Sequence, residues 1–222
     1  DVWGVTLARF LFGFPLTFIY IQLLYHFYPV IEVVHFTAKY WIYIFIAGVS
    51  QILATVLMVQ LFKQKNYAIG VGLAKSEAIL AAIIGVAFLS NHLSFLAWIG
   101  VLIGGYAVFL LSKGNQLSGL SAKTLMIGVG SGLCFAITSL LVREASLELT
   151  NLPVLHRASW VLISVIGFQC ISMLIYLSLF SRKTLVAMRE RMGLTMKVGF
   201  CSFTASLGWF TAMSMMSVPV VK

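Results

Sequence analysis

The chain has 222 residues, of which 61% are hydrophobic and only 9% are charged, and its formal net charge is +9. Soluble domains carry about 25% charged residues, so this composition excludes an ordinary water-soluble globule. A membrane-spanning helix needs roughly 20 mostly apolar residues. Six charge-free stretches approach or exceed that length: 10–31, 40–62, 78–112, 124–142, 158–181 and 198–221. We therefore predict an integral membrane protein.

The apolar stretches predict helices rather than the strands of a membrane barrel. Barrel strands alternate apolar and polar residues over about 10 positions, whereas these stretches are continuous and longer. A helix also satisfies its own backbone hydrogen bonds in lipid. The predicted fold class is all-α, a polytopic membrane helix bundle, with about seven helices at 3–27, 40–62, 67–89, 94–112, 124–142, 156–180 and 197–218. Pro15 is expected to kink the first of them.

The basic residues predict an orientation. Taking alternate connections, ten Lys or Arg residues fall on one side and three on the other, so the positive-inside rule places the larger set in the cytoplasm. The larger set is Arg9, Lys63, Lys65, Lys113, Lys123, Arg182, Lys183, Arg189, Arg191 and Lys197; the smaller is Lys39, Arg143 and Arg157. The net charge is thus a topology signal, and we expect no nucleic-acid partner.

Two ionisable residues, Lys75 and Glu77, interrupt the otherwise apolar stretch 71–85. A helix that begins near Tyr67 would place Glu77 about 15 Å along its axis, close to the middle of a bilayer. A charge at that depth costs about 2.5–3.5 kcal/mol on insertion scales and usually faces a functional pathway. We predict that Glu77, and Lys75 with it, line a central cavity and contact a substrate or a coupling proton.

The alternative for this pair is structural. Lys75 would extend to the interface, and Glu77 would be the buried partner of Arg9 or Arg157. On the functional interpretation, Arg9 and Arg157 instead supply charge to the same cavity.

Three further polar or aromatic positions and two glycine pairs complete the candidate residues. A lone glutamine in an apolar helix more often makes an interhelical hydrogen bond, and Gln51 and Gln169 are in addition candidates for lining the cavity. Trp209 lies deepest among the tryptophans and is predicted to form a cavity wall. The spacings Gly100/Gly104 and Gly128/Gly132 favour close helix packing.

Metal and enzyme chemistry are disfavoured. His26, His35, His92 and His156 lack metal-ligand spacing, and Asp1 is the only aspartate. The three cysteines are widely spaced within apolar runs and are expected to be packing residues. We therefore expect no metal, no cofactor and no enzymatic activity.

Matching residues suggest an internal repeat. Gly48 and Gly199, Ala54 and Ala205, and Thr55 and Ser206 are each separated by 151 residues, while Arg9 and Arg157 are 148 apart. Two-fold repeats of helices are common in transporters. We divide the chain into a first repeat, 1–112, and a second, 113–222.

Three segments resemble the EamA-type drug/metabolite transporters: "LAKSEAILAAIIGVAFLSNHLSFLAWIGVLIGGYAVFLLS" (73–112), "SGLCFAITSLLVREASLEL" (131–149) and "ASLGWFTAMSMMSVPVVK" (205–222). The resemblance implies a full protein of two inverted five-helix repeats. Here 1–112 would supply the family's helices two to five, and 113–222 its helices six to eight, so the chain would be a fragment. The usual family topology puts the connection 182–197 outside, whereas the charge count puts it inside.

The resemblance implies a permease of a bacterial inner membrane that exports a small metabolite or drug. Alternating access around a cavity between the repeats would be the mechanism, with proton coupling through Glu77. A small-molecule substrate, the lipid bilayer and a second copy in a homodimer are the expected partners. The alternative from another class is a membrane assembly or sensor subunit that transports nothing.

Overall fold

The computed structural model describes residues 1–63, 76–88, 94–113 and 122–216. Within these ranges the chain is helical and forms no strand, which confirms the all-α class. Its helices are α1 (Val2–Leu11), α2 (Gly13–Phe27), α3 (Ala38–Lys63), α4 (Glu77–Phe88), α5 (Phe95–Lys113), α6 (Ala122–Leu147), α7 (Val154–Phe180), α8 (Arg182–Glu190) and α9 (Met192–Met215). The helix count of the whole chain and the inverted repeat stay predictions.

Four segments of the described chain are long and apolar enough to cross a membrane: Val2–Phe27, Ala38–Lys63, Lys123–Leu147 and Val154–Phe180. Each has 25 to 27 residues, which at about 1.5 Å per residue exceeds a hydrocarbon core of about 30 Å. The apolar helices Glu77–Ala87 and Trp98–Ala107 are shorter. These dimensions are compatible with a multi-pass membrane protein.

The first of these segments is interrupted at Phe12, where α1 ends and α2 begins. Pro15 has no amide hydrogen, so the carbonyl of Leu11 lacks its usual helical donor. The next amide, that of Leu16, bonds to the Phe12 carbonyl over a long 3.4 Å. The irregularity therefore lies where the proline predicts it.

One helix lies where the sequence predicted only a connection. The charged segment after residue 180 forms α8, and α9 starts at Met192 instead of 197. On α8, Thr184 is buried, whereas Arg182, Lys183 and Arg189 are exposed. The helix is therefore amphipathic, with a basic exposed face.

The chain divides into two compact units. Unit 1 contains Asp1–Val49 and Leu141–Met215, and unit 2 contains Ser50–Leu140. The division cuts through α3 and α6. The predicted repeat boundary at 112 falls inside unit 2 and stays a prediction.

The centre of unit 1 is α7, which packs against α1, α2 and α9. Glycines allow two close approaches. A Cβ added to Gly167 would lie 2.9 Å from the Phe14 ring, and one added to Gly199 would lie 2.6 Å from Cβ of Phe12. Buried apolar side chains, including Leu162 and Val165 of α7, fill the interior between these helices.

Many hydroxyl groups are satisfied within their own helix. Thr6 donates to the carbonyl of Val2 at 2.9 Å, and Thr17 donates to that of Gly13 at 2.7 Å. Thr55, Thr138, Ser159, Thr195, Thr204 and Thr211 bond in the same way to the carbonyl four residues earlier. Each of these hydroxyls thus has a hydrogen-bond acceptor within its own helix.

Candidate functional site

Glu77 is the first residue of α4 and is only 6% exposed. The hydroxyl of Ser139 on α6 lies 2.8 Å from its Oε1 and donates to it. The same hydroxyl lies 2.7 Å from the carbonyl oxygen of Phe135, four residues earlier. Since a serine hydroxyl carries one hydrogen, the carboxylate and the carbonyl compete for it.

The helix that begins at Glu77 is buried on one side: Ala81 and Ala82 of α4 are fully buried. The adjacent hydroxyl of Ser76 is buried and has no hydrogen-bond partner among the residues that the structure describes. Lys75 and the predicted start of this helix lie outside the described residues, so the predicted depth of Glu77 stays a prediction.

Unit 2 also contains Gln51, on α3, which is 5% exposed. Near it, the hydroxyl of Ser131 on α6 donates to the carbonyl of Ala54 on α3 at 2.9 Å. Ser131 is fully buried, and so are the neighbouring Gly128 and Gly132. This part of α6 is therefore hydrogen-bonded to α3 close to the predicted packing glycines.

The second glycine pair has different surroundings. Gly100 and Gly104 of α5 are exposed. A Cβ added at either position would meet no described atom within 4 Å.

A second polar cluster lies in unit 1 at the C-terminal end of α9. Nη2 of Arg157 donates to the carbonyl of Ser214 at 2.6 Å, and Nη1 of Arg143 donates to that of Met213 at 3.0 Å. The hydroxyl of Ser146 also donates to that of Ser214 at 2.7 Å. The last carbonyls of a helix lack intrahelical donors, and cations near them are stabilising. Both arginines therefore cap α9.

Arg9 lies on α1 and contacts a different part of α9. Its Nε donates to the hydroxyl of Ser202 at 3.4 Å, and Arg9 lines a groove of about 430 Å³ together with Lys197. Ser202 and Ser214 are twelve residues apart on α9, which corresponds to about 18 Å. The structure therefore does not bring Arg9 and Arg157 into one site.

The remaining candidates also belong to unit 1. Gln169 is fully buried, and its Nε2 donates to the carbonyl of Gly48 at 3.3 Å. This is an interhelical hydrogen bond between α7 and α3. Trp209 is half-buried, with its ring 5.3 Å from that of Phe210.

The sequence missed three residues of these clusters. Ser139 gave no signal, because its partner Glu77 is 62 residues away in the chain. Arg143 was treated as a loop charge, since the predicted helix ended at Val142, whereas α6 continues to Leu147. Lys197 was counted only as a topology signal.

Metal ligation finds no support in the described part of the chain, where no group of three or more His, Cys, Asp or Glu residues could hold an ion. Cys170 is buried, Cys134 half-buried and Cys201 exposed, and all three are free thiols. The packing role predicted for the cysteines therefore fits Cys170 better than Cys201.

The chain matches no family model, no curated protein and no solved structure. The resemblance to the EamA-type transporters therefore rests on the quoted sequence segments.

Proposed function

We propose that this protein is a polytopic membrane permease, related to the EamA-type transporters, that exports a small metabolite or drug by alternating access. The observation that carries the proposal is the buried carboxyl group of Glu77 against the hydroxyl of Ser139. Ionisable residues within membrane segments are costly, and they commonly mark substrate or proton pathways. The four long apolar segments support the membrane setting.

The geometry around Ser139 supports proton coupling. When Glu77 is ionised, the Ser139 hydroxyl donates to the carboxylate and shares its hydrogen with the carbonyl of Phe135. When Glu77 is protonated, the carboxylic acid donates to Ser139, whose hydrogen then serves Phe135 alone. Both protonation states are therefore hydrogen-bonded, a property that a proton carrier requires.

In this proposal Glu77 exchanges a proton during the transport cycle, and Ser139 positions its carboxyl group. Lys75, two residues before Glu77 in the sequence, and Gln51 of α3 are proposed to contact the solute. Arg157 and Gln169 are left out of the pathway, because Nη2 of Arg157 and Nε2 of Gln169 donate to backbone carbonyls of other helices. We propose a bacterial inner membrane as the location.

Proteoliposome flux tests the proposal. The vesicles contain a pH-sensitive dye and are offered labelled amino acids, nucleosides and a cationic dye in turn, with and without a pH gradient. We expect the wild-type protein to move at least one of these solutes together with protons. Glu77→Gln should insert normally and lose the flux. Glu32→Gln is the matched control, since Glu32 is exposed between α2 and α3.

Equal flux in Glu77→Gln would remove Glu77 from the mechanism. A folded wild-type protein that moves no solute, but purifies tightly bound to another membrane protein, would favour an assembly or sensor subunit instead.

A further inference from the structure

A pocket of about 490 Å³ lies in unit 1, where the end of α2 meets the beginning of α7. Volumes of roughly 300–1,000 Å³ are usual for small-molecule sites. Leu24, Phe27 and Val30 line it from α2 and the connection that follows, and residues 153–156 line it from α7. None of the described residues in its lining is a Lys, Arg, Asp or Glu. The pocket is therefore mostly apolar and carries no fixed side-chain charge.

His156 lines this pocket and is only 2% exposed. Its Nε2 lies 2.9 Å from the carbonyl oxygen of Tyr28. Because a carbonyl oxygen only accepts, Nε2 carries a hydrogen, and in the neutral ring Nδ1 is then an acceptor. Nδ1 is buried and has no hydrogen-bond partner among the described residues. Since a buried acceptor without a donor is costly, a ligand that donates to Nδ1 gains a favourable interaction.

The backbone at the start of α7 offers donors beside this acceptor. The N-cap residue Pro153 makes no side-chain cap. In the described structure the first amide of α7 with a backbone acceptor is that of Arg157, which donates to the Pro153 carbonyl at 3.0 Å. The amides of Val154, Leu155 and His156 precede it, and all three residues line the pocket. Such a helix start favours a negatively charged group.

The ring of His156 is held beside these amides. Side chains of a helix lean toward its N-terminus, so the ring lies over the first turn of α7. The ring of Tyr25 on α2 meets it edge to face at 4.8 Å, and the Tyr25 hydroxyl accepts from Nε1 of Trp160 at 2.9 Å. One acceptor and a set of amide donors are therefore positioned within one turn.

We propose that this pocket binds the carboxyl group of an apolar organic acid. One carboxyl oxygen accepts from the amides of the first turn of α7, and the other shares a proton with Nδ1 of His156. The apolar body of the acid lies against Leu24, Phe27 and Val30. An ionised acid that binds beside a neutral imidazole takes up one proton from solution, which then lies between the carboxyl oxygen and Nδ1.

Other ligand classes fit the pocket less well. An ammonium group could donate to Nδ1, but it would face the positive end of α7 without a carboxylate in the described lining. An alcohol could donate to Nδ1, but its single oxygen reaches fewer of the amides. The pocket also lies where two of the long apolar segments have an end, at Phe27 and Val154. In a membrane it is thus near the interface, within reach of dissolved acids and of fatty acids in the lipid.

The neighbouring titratable groups do not replace His156 in this role. Tyr25 is the titratable side chain of α2 in ring contact with it, and its hydroxyl is already bonded to Trp160. Arg157, the next residue of α7, donates to the carbonyl of Ser214. The inference concerns unit 1 and does not depend on Glu77 or on transport, because binding is measured without any flux.

Titration calorimetry of the full chain in nanodiscs tests the inference, with empty nanodiscs as the reference. The probe is 3-phenylpropanoate, titrated at pH 8, where histidine side chains are normally neutral and carboxylic acids ionised. Two buffers of different ionisation enthalpy report the protons exchanged. We expect an uptake of about one proton per bound acid. We expect 3-phenylpropan-1-ol and 3-phenylpropylamine, which carry the same ring and chain, to bind at least about tenfold more weakly.

A matched pair of variants assigns the proton. His156→Gln places an amide nitrogen about where Nε2 lies, so a donor for the Tyr28 carbonyl is kept while the basic nitrogen is removed. We expect it to bind 3-phenylpropanoate about tenfold or more weakly and without proton uptake. His35→Gln should behave like the wild-type protein, because His35 is exposed and does not line the pocket.

Three results would overturn the inference, and the first two need only the wild-type protein. Heats that equal those of empty nanodiscs would show that the pocket takes no such acid. Equal binding of the alcohol would indicate a purely apolar contact. Unchanged affinity and proton uptake in His156→Gln would place the proton on another group.

A second acid distinguishes the source of the ligand. Decanoate is titrated in the same way as 3-phenylpropanoate. Tighter binding of decanoate would identify a fatty acid from the membrane, and tighter binding of 3-phenylpropanoate a dissolved aromatic acid. Either result, with proton uptake that depends on His156, supports the carboxyl site.

Discussion

Ser139 and Glu77 meet through a hydrogen bond of 2.8 Å that joins α6 to α4 in unit 2. Ser139 is itself fully buried. The bond joins two helices that are separated in the sequence by α5. Its removal should therefore affect both the stability of unit 2 and the position of the carboxyl group.

Ser139→Ala removes the hydroxyl that bonds to Glu77. A hydrogen bond to a charged group contributes about 1.5–3 kcal/mol, so we expect the free energy of unfolding to fall by a comparable amount. Unfolding of the purified protein in detergent, followed by tryptophan fluorescence, measures the change. Ser178→Ala is the control, because Ser178 is exposed on α7. Equal stability of the two variants would mean that the bond to Glu77 contributes nothing.

Water access to position 77 is a separate prediction. We expect Glu77→Cys, made in a chain whose three native cysteines are replaced by alanine, to react with a charged methanethiosulfonate reagent from one aqueous face. Addition of a transported solute or a pH gradient should shift the reaction to the other face. Leu162→Cys should not react, because Leu162 is fully buried within unit 1. A Glu77→Cys thiol sealed from both faces under all conditions would rule out alternating access at this site.

Arg157→Gln should loosen the end of α9. The substitution removes a charge-assisted bond to the carbonyl of Ser214, and cations at a helix C-terminus contribute about 0.3–2 kcal/mol. We expect faster amide hydrogen exchange in the peptide that covers 207–215, while exchange near Met192 stays unchanged. Lys39→Gln should leave both regions unaltered. Unchanged exchange in Arg157→Gln would show that Arg143 caps the helix alone.

Gly199→Ala should destabilise the packing of α9 against α1. The added Cβ would lie 2.6 Å from Cβ of Phe12 and 3.2 Å from the carbonyl oxygen of Ala8, and neither atom belongs to a flexible side-chain end. Overpacking of this kind costs about 1–3 kcal/mol, which should appear as a lower melting temperature.

Gly208→Ala is the matched control on the same helix. An added Cβ at Gly208 would meet no described atom within 4 Å, and alanine is favoured over glycine within a helix by about 0.5–1 kcal/mol. We expect it to melt at the same temperature as the wild-type protein or slightly higher. A Gly199→Ala variant that melts like Gly208→Ala would contradict the close approach of α1 and α9.

The sequence predicted the long apolar helices well because their signal is local. The predicted 40–62 and 156–180 differ by only two or three residues from α3 and α7. Amphipathic α8 was missed because its basic residues were interpreted as a connection, although Thr184 and Met188 lie one turn apart against α1. Charge density alone does not distinguish a loop from a short surface helix.

The polar clusters were less predictable because their partners are distant in the chain. Glu77 was recognised from its apolar neighbours, but nothing local indicates Ser139. Arg157 was grouped with Arg9 because the two are separated by 148 residues, close to the 151-residue separation of the other matching pairs. In the structure they have different partners on α9. A single sequence can indicate that a polar residue needs a partner, but it does not identify that partner.

The capping of α9 has a consequence for the order of synthesis. Arg143 and Arg157 leave the ribosome 70 and 57 residues before the carbonyls they bind. Both guanidinium groups must therefore be hydrated, or held by the insertion machinery, until α9 emerges. If translation is stalled after Arg157 but before Met213, the nascent chain should contain α6 and α7 in a form that is not yet stably integrated.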